Sequence, residues 1–272
     1  MEQKEKNAYI LGTDKEELHR LGLQHQVWGF ETRRSWKTAE FSQGQTILDL
    51  GCGPGYCSTE LAYITGKYGK VIAVDKSKAY IDFLDAEADL HGLNIETQNC
   101  DFDEMKLHPS SLDGVYSRWA LAWIKNPREI VEKIVSSMAS GAVFVAHEYY
   151  DWSTLQSEPP LSGLAKGIAT TYKSFKEQEG DIDIGRYLPA MFSEAGLELI
   201  SVKPMAKLVT PDDLGWHWPR SFFSIFLPKL VEYGRLTEEE LEEALSDIEE
   251  LSFMDGSSIN CPLMVEVIGV KP

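Results

Sequence analysis

The sequence predicts an α/β fold, a seven-stranded and mostly parallel sheet with helices on both faces. Three observations carry that expectation. Short apolar runs alternate with amphipathic stretches through about residue 150, the pattern of a parallel sheet covered on both sides. A glycine-rich turn, Gly51-Cys-Gly-Pro-Gly55, ends the first apolar run abruptly. The 272 residues are 43% hydrophobic and 25% charged, which suits one large domain, or one domain carrying a cap.

The elements follow in order. Residues 13–43 read as a helical lid: Thr13-Asp-Lys-Glu16 has the form of a capping box, and Leu18, Leu21, His25 and Trp28 follow at near-helical spacing. Thr46–Leu50 is a short buried strand, and a helix runs from the glycine turn to about Thr65. Lys70–Asp75 is the second strand, after which Ser77 caps a helix reaching His91-Gly92. Ile95–Asn99 and Asp113–Ser117 are the third and fourth strands. Asn126-Pro127 opens a helix whose apolar stripe is Ile130, Ile134 and Met138, since proline at the first helical position forfeits no useful N–H. Ala142–Glu148 is the fifth strand, a helix near Ile184–Ala195 ends at Gly196, and Leu197–Lys203 and Leu263–Val270 are the last two strands. The polar, aromatic and acidic stretch 206–262, with a second capping box at Thr237-Glu-Glu-Glu240, reads as a cap inserted before the final strand. The domain expectation is therefore a lid at 1–43, a sheet domain at 44–205 and 263–272, and a cap at 206–262.

Composition narrows the function. Net charge is −17, from 26 basic and 43 acidic residues, which disfavours loose binding to nucleic acid or anionic lipid. No run approaches the ~18 apolar residues of a membrane span, and the start MEQKEKNAYI lacks a signal-like apolar stretch, so the expected address is cytoplasmic. Cys52, Cys57, Cys100 and Cys261 form no C-x-x-C pair and no zinc spacing with the histidines. They are expected to be reduced thiols, and no metal site is expected.

The chemistry concentrates at Ile47-Leu-Asp-Leu-Gly-Cys-Gly-Pro-Gly55. Glycines between a strand and a helix permit positive φ and close approach of a ligand to the backbone, and the helix N-terminus offers free N–H groups. The dinucleotide pattern G-x-G-x-x-G fails, because Tyr56 stands where the third glycine would be. The G-x-G-x-G spacing behind Asp49 points to a different ligand.

Asp-Leu-Gly-Cys-Gly-Pro-Gly resembles motif I of the class I S-adenosylmethionine-dependent methyltransferases, and later landmarks arrive in that family's order over residues 45–150. The resemblance implies a Rossmann-like fold with S-adenosyl-L-methionine as methyl donor. It implies that Asp49 lies near the donor's ammonium end and that Gly51, Gly53 and Gly55 form the turn against it. Asp75 would hold both ribose hydroxyls, with Lys76 beside it; Asp101 and Phe102 would flank the adenine; Arg118 would lie beneath the methionine part. Gln24-His25-Gln26-Val27-Trp28 resembles the lid helix of small-molecule members, which adds Gln24 and Trp28 to the donor contacts. Ser140-Gly-Ala142 departs from the Pro-Gly-Gly of many relatives, in a turn outside the ligand corner.

The acceptor side is less legible. His147 and Tyr149, at the end of the fifth strand, are the candidate catalytic groups, with wall packing as their other reading. A sulfonium methyl is already electrophilic, so alignment is the main requirement, and a base is needed only where the acceptor must lose a proton. Aromatic flanks suggest a small, partly apolar acceptor. The alternatives are a protein or peptide methyltransferase and a non-catalytic donor-binding protein; Ser117-Arg-Trp-Ala120 lacks the extra acids expected of an aminopropyl transferase. An oligomer is possible.

Overall fold

The computed structural model describes residues 15–272. The Thr13–Glu16 capping box therefore lies outside the described residues in part. The expected single helical stretch is two helices, α1 (Lys15–Val27) and α2 (Gly29–Thr38), joined at Trp28, whose φ/ψ of −102/6° is not helical. They divide the expected lid between two jobs. Trp28 is fully buried, and Trp36 on α2 meets Tyr116 of the sheet edge-on at 5.2 Å, so α2 covers one face of the sheet.

β1 (Thr46–Leu50) and α3 (Tyr56–Thr65) flank the glycine turn, followed by β2 (Lys70–Asp75), α4 (Lys78–His91), β3 (Ile95–Asn99) and β4 (Leu112–Arg118). α4 carries its expected ends, Ser77 accepting from Tyr80 N–H and Gly92 in the left-handed conformation. α5 (Pro127–Ser137) leads into β5 (Met138–Asp151), longer than expected because it runs through the Ser140-Gly141 turn with an irregular register against β4. β6 (Gln156–Glu158) and α6 (Ser162–Lys176) come next. A 3-10 turn at Ile184–Arg186 takes the place of the expected helix start, and α7 begins at Leu188 (Leu188–Glu194). β7 (Glu198–Met205), β8 (Leu208–Val209), α8 (His217–Glu232), α9 (Glu238–Leu251), β9 (Ser258–Asn260) and β10 (Leu263–Val270) complete the chain. The Thr237–Glu240 capping box forms, with Thr237 and Glu240 each satisfying the other's backbone N–H.

Seven strands make one sheet in the order β3-β2-β1-β4-β5-β10-β7, all parallel except β10, which is antiparallel to both neighbours. β1 and β10 are buried over nearly their whole length, as strands covered on both faces must be. Trp36, Phe41, Leu61, Tyr116 and Val145 pack on one face; Leu48, Val115, Ile134, Phe144 and Phe192 pack on the other.

The stretch expected to form a cap packs with an earlier one. β6, β9 and β8 form a small antiparallel sheet, and α6 packs on α9, with the Leu164 N–H donating to Asp247 at 2.8 Å. Gly163 and Gly167 permit this approach: a Cβ on Gly163 would stand 2.8 Å from the Glu243 backbone. The boundary at 206 thus leaves β6 and α6 outside a cap with which they pack. α1 joins it, because the Trp218 indole N–H donates to Gln24 at 2.8 Å.

Candidate functional site

The glycine turn opens at the carboxyl end of β1, beside the strand order's reversal between β1 and β4, where ligands bind on such sheets. Gly51, Gly53 and Gly55 have φ of +71°, +54° and +84°, a region that favours glycine. Their surroundings differ. A Cβ on Gly51 would stand 2.4 Å from Ala120 Cβ, and one on Gly55 would stand 2.3 Å from a Leu84 methyl. Gly53 has open space for 4 Å. The outer glycines let elements touch, and the middle one leaves room for a ligand.

A cavity of about 650 Å³ lies in front of the turn. Of the expected donor contacts, Gln24, Asp49, Gly51, Gly53, Asp75, Lys76, Asp101, Phe102 and Arg118 line it. Two do not. Gly55 faces Leu84 and serves helix packing. Trp28 is fully buried behind the wall, edge-on to Trp119 and Trp218 at 6.0 and 5.2 Å, with the Lys207 ammonium 4.7 Å from its ring. The lid-helix resemblance placed it among the donor contacts, but its side chain is spent on packing.

The carboxylates are held differently. Asp75 accepts the Ser77 N–H at 2.8 Å on Oδ1 and the Gly53 N–H at 2.9 Å on Oδ2. Each carboxylate oxygen can accept a second hydrogen bond, which leaves acceptor capacity for a ribose diol. Burial raises the Asp75 pKa against these two bonds. Asp49 is almost wholly buried and accepts the Ser58 hydroxyl at 2.6 Å. Burial pushes its pKa up to about 6, with the nearby Arg118 charge and the Ser58 bond opposing. A buried carboxyl near neutrality is poised to receive a cation. Asp101 is exposed at the rim beside half-buried Phe102.

Arg118 ends β4. It donates to Thr32 Oγ1 at 3.1 Å, lies 3.4 Å from His25 Nδ1, and places its guanidinium 5.0 Å from the Trp119 ring centre. His25 Nε2 lies 2.9 Å from Glu60, which also takes Arg33 Nε at 2.9 Å. Burial alone would raise Glu60; the bonds from His25 and Arg33 outweigh it and hold its pKa at about 2. Burial lowers His25 against the Glu60 bond. With Arg118 facing Nδ1, the neutral ring carries its proton on Nε2.

His147 is a correction to the expected catalytic pair. It is fully buried, lines neither cavity, and sits 3.4 Å from the Tyr116 hydroxyl and 3.7 Å from Glu266, with burial lowering its pKa. The strand's pleat turns it into the α2 side of the sheet, away from the cavity in front of the glycine turn. Tyr149 is placed differently, stacked on Trp119 at 5.8 Å.

Glu148, between them, is a functional candidate that sequence reasoning passed over. Its Oε1 accepts the Ala120 and Leu121 N–H groups at 2.9 and 2.8 Å, fixing the turn after β4, while Oε2 meets no hydrogen-bond geometry among the described residues. Burial raises its pKa to about 8 against those bonds. The signal was available: an acid inside Val143-Phe-Val-Ala-His-Glu148, an otherwise apolar run, must be paired or neutral once buried.

A second, narrow cavity of about 60 Å³ adjoins the first. Trp119, Trp123, Tyr149, Trp152, Trp218 and Phe222 are among its walls, with Arg20 and Gln24 at one end. Trp119 also stacks on Trp218 at 5.9 Å. Gln24, Trp119 and Trp123 line both cavities. Among the described residues, no group of three or more His, Cys, Asp or Glu could hold a metal ion, and no helix is long and apolar enough to cross a membrane.

A methyltransferase-domain family matches residues 41–196. The chain belongs to this family, within the class I S-adenosylmethionine-dependent methyltransferases. Among curated relatives, sterol 24-C-methyltransferase ERG6A of Gibberella zeae is 26% identical over 65% of this chain and 45% of its own length. Demethylmenaquinone methyltransferase of Oceanobacillus iheyensis is 25% identical over 65% of this chain and 82% of its own. The chain spans less than half the length of the first curated relatives it matches. In fold it resembles phosphoethanolamine N-methyltransferase 2 of Haemonchus contortus in complex with phosphomonomethylethanolamine and S-adenosylhomocysteine. That likeness has a TM-score of 0.57 at 16% identity, over 99% of this chain and 61% of the other.

Proposed function

We propose that this chain transfers the methyl group of S-adenosylmethionine to a small, largely apolar acceptor held in the aromatic chamber beside the donor cavity. The observation that carries this reading is the shared wall: Gln24, Trp119 and Trp123 face both spaces. An acceptor in one cavity would therefore lie next to a donor in the other. The named activities of the sterol and demethylmenaquinone relatives support an apolar acceptor.

When bound, the donor supplies a sulfonium-activated methyl group. Asp49 would pair with its ammonium, Asp75 would accept from the ribose, Asp101 and Phe102 would flank the adenine with Lys76 at the rim, and Arg118 would face its carboxylate. Gly51 and Gly53 let the backbone come close. Trp119 and Tyr149 would orient the acceptor, since holding reactants in line can contribute ~7–11 kcal/mol of barrier reduction. Tyr149 is the chamber group able to relay a proton; His147 is given no such part. The chamber is too narrow for a bulky acceptor as it stands, so α1 and α8 would part to admit one and close to exclude water. The four free cysteines and the negative charge support a cytoplasmic enzyme acting on small molecules and not on nucleic acid.

The test has two stages. S-adenosylmethionine or S-adenosylhomocysteine should raise the melting temperature where NAD does not; the reverse would end the donor assignment. A radiolabelled methyl-transfer screen over apolar hydroxyl, enol and amine acceptors and over basic peptides should then label the small molecules. Labelling of peptides alone would replace the chamber reading with the peptide one.

A further inference from the structure

We propose that Gln24 selects an acceptor bearing a hydrogen-bond-accepting oxygen, neutral or anionic, on its apolar body. The inference rests on the aromatic chamber being the acceptor site and adds what that chamber recognises.

The geometry around Gln24 fixes which end of its amide is available. Arg20 Nη1 donates to Gln24 Oε1 at 2.9 Å, and Trp218 Nε1 donates to the same oxygen at 2.8 Å. A guanidinium and an indole N–H can only donate, so the atom between them must be the amide oxygen. Two donors on one acceptor lock the amide plane. The oxygen is consumed, and the Nε2 group, which has no hydrogen-bond partner among the described residues, is turned the other way. Gln24 is 8% exposed and lines both cavities. On the proposed reading, its two N–H donors serve a ligand group at the junction of the two cavities.

The lock is itself held. Arg20 is gripped by Glu17 through Nε–Oε2 at 2.6 Å and Nη2–Oε1 at 2.7 Å, with the two residues 3% and 0% exposed. A buried ion pair is a poor way to gain stability, and here it fixes the donor that fixes Gln24. The pair is also lopsided toward the chamber, because Arg20 lines it and Glu17 does not. The polar end thus presents the Gln24 N–H donors, whose hydrogens carry partial positive charge. That arrangement favours an oxygen acceptor and opposes the quaternary or protonated amines that an aromatic box would otherwise attract. Of the rest of the wall, Phe222 can only pack, while Trp119, Trp123 and Trp152 offer ring faces with an indole N–H at one edge and Tyr149 a hydroxyl, groups that also suit an oxygen acceptor.

The test compares isosteres. Calorimetry on the S-adenosylhomocysteine-saturated protein would measure binding of 2-acetylnaphthalene, of 2-isopropenylnaphthalene, which replaces the carbonyl oxygen by CH2, and of (2-naphthyl)trimethylammonium. The ketone should bind about fivefold tighter than the alkene, the factor one neutral hydrogen bond supplies, and the cation should bind weakest. Gln24→Glu keeps an oxygen for Arg20 and Trp218 but loses the N–H pair, so the ketone-to-alkene ratio should fall toward one; being a ratio, it is insensitive to a general loss of affinity. Equal binding of ketone and alkene by the wild type, tightest binding by the cation, or an unchanged ratio in Gln24→Glu would each overturn the inference. If S-adenosylhomocysteine binds and no naphthyl compound does, the chamber reading fails and takes this inference with it.

Discussion

Gly53 donates its backbone N–H to Asp75 Oδ2 at 2.9 Å. The bond ties the glycine turn after β1 to the end of β2, so the carboxylate proposed for the ribose also shapes the loop proposed to lie against the donor.

Asp75→Ala should therefore weaken donor binding much more than Asp101→Ala. It removes two acceptors for the ribose, at ~1.5–3 kcal/mol per charged hydrogen bond, and frees the turn as well. Asp101 is exposed and its contact would be single. Calorimetry with S-adenosylhomocysteine reads both losses; equal losses in two folded variants would place the ribose elsewhere.

Gly53→Ala and Gly55→Ala should separate binding from stability. Both carry the ~1–2 kcal/mol cost of a left-handed residue. Gly55→Ala adds overpacking against buried Leu84, typically ~1–3 kcal/mol, and should lower the melting temperature more. Gly53→Ala meets no protein atom within 4 Å but fills the ligand's approach, so it should lose more affinity. Matched thermal melts and titrations would show the crossing of these two effects, or its absence.

Donor affinity should depend on acid. Asp49 has a pKa of about 6 in the free protein, and a bound ammonium favours its carboxylate form. Below that pH, binding must expel a proton, and affinity should fall by up to about tenfold per unit. Asp49→Asn should bind more weakly at pH 8 and lose this dependence. The stability effect has the opposite sign. A raised carboxyl pKa contributes stability that is complete below about 4 and is lost as pH rises through about 6. The ligand-free Asp49→Asn protein should thus melt higher than wild type at pH 8.

Glu148 allows the same sign to be read at higher pH. Its raised pKa of about 8 means that its share of stability declines from pH ~4.3 upward and is gone above about 8. Glu148→Gln keeps an acceptor for Ala120 and Leu121 and removes the titration, so its advantage over wild type should grow between pH 6 and 9. Glu148→Leu strands two buried N–H groups at ~1–3 kcal/mol each and should be destabilised throughout. Parallel pH profiles for Gln and wild type would refute the buried-acid account.

What the sequence disclosed follows the range of the forces involved. Strands such as Thr46–Leu50 and the turn at Gly51–Gly55 announce themselves through local patterns, and they line up the acids of the donor cavity in chain order. The break at Trp28 is followed directly by Gly29, a mark that the near-helical apolar spacing before it masked. Trp28 and Trp119 look alike as aromatic residues near a ligand corner, yet one packs behind the wall and the other forms it, a difference decided by Trp218, 190 positions beyond Trp28 in the numbering. His147 was misjudged because alternation gives a side, not which side faces the ligand. The pairing of β6 with β9 joins residues about a hundred apart and has no local mark.

That pairing also orders events during synthesis. Every expected donor contact lies at or before Arg118, and the strands that bear them are parallel neighbours made early. The aromatic chamber needs Tyr149, Trp218 and Pro262 together, and its small sheet is completed only by Ser258–Asn260. The strand ends that bear the donor-side acids would therefore leave the ribosome first, and the aromatic chamber would wait for the last strands. Domains gain structure from the N-terminus as they emerge, and distant pairings close slowly. The acids of the donor corner would thus be in place well before the aromatic walls beside them could close.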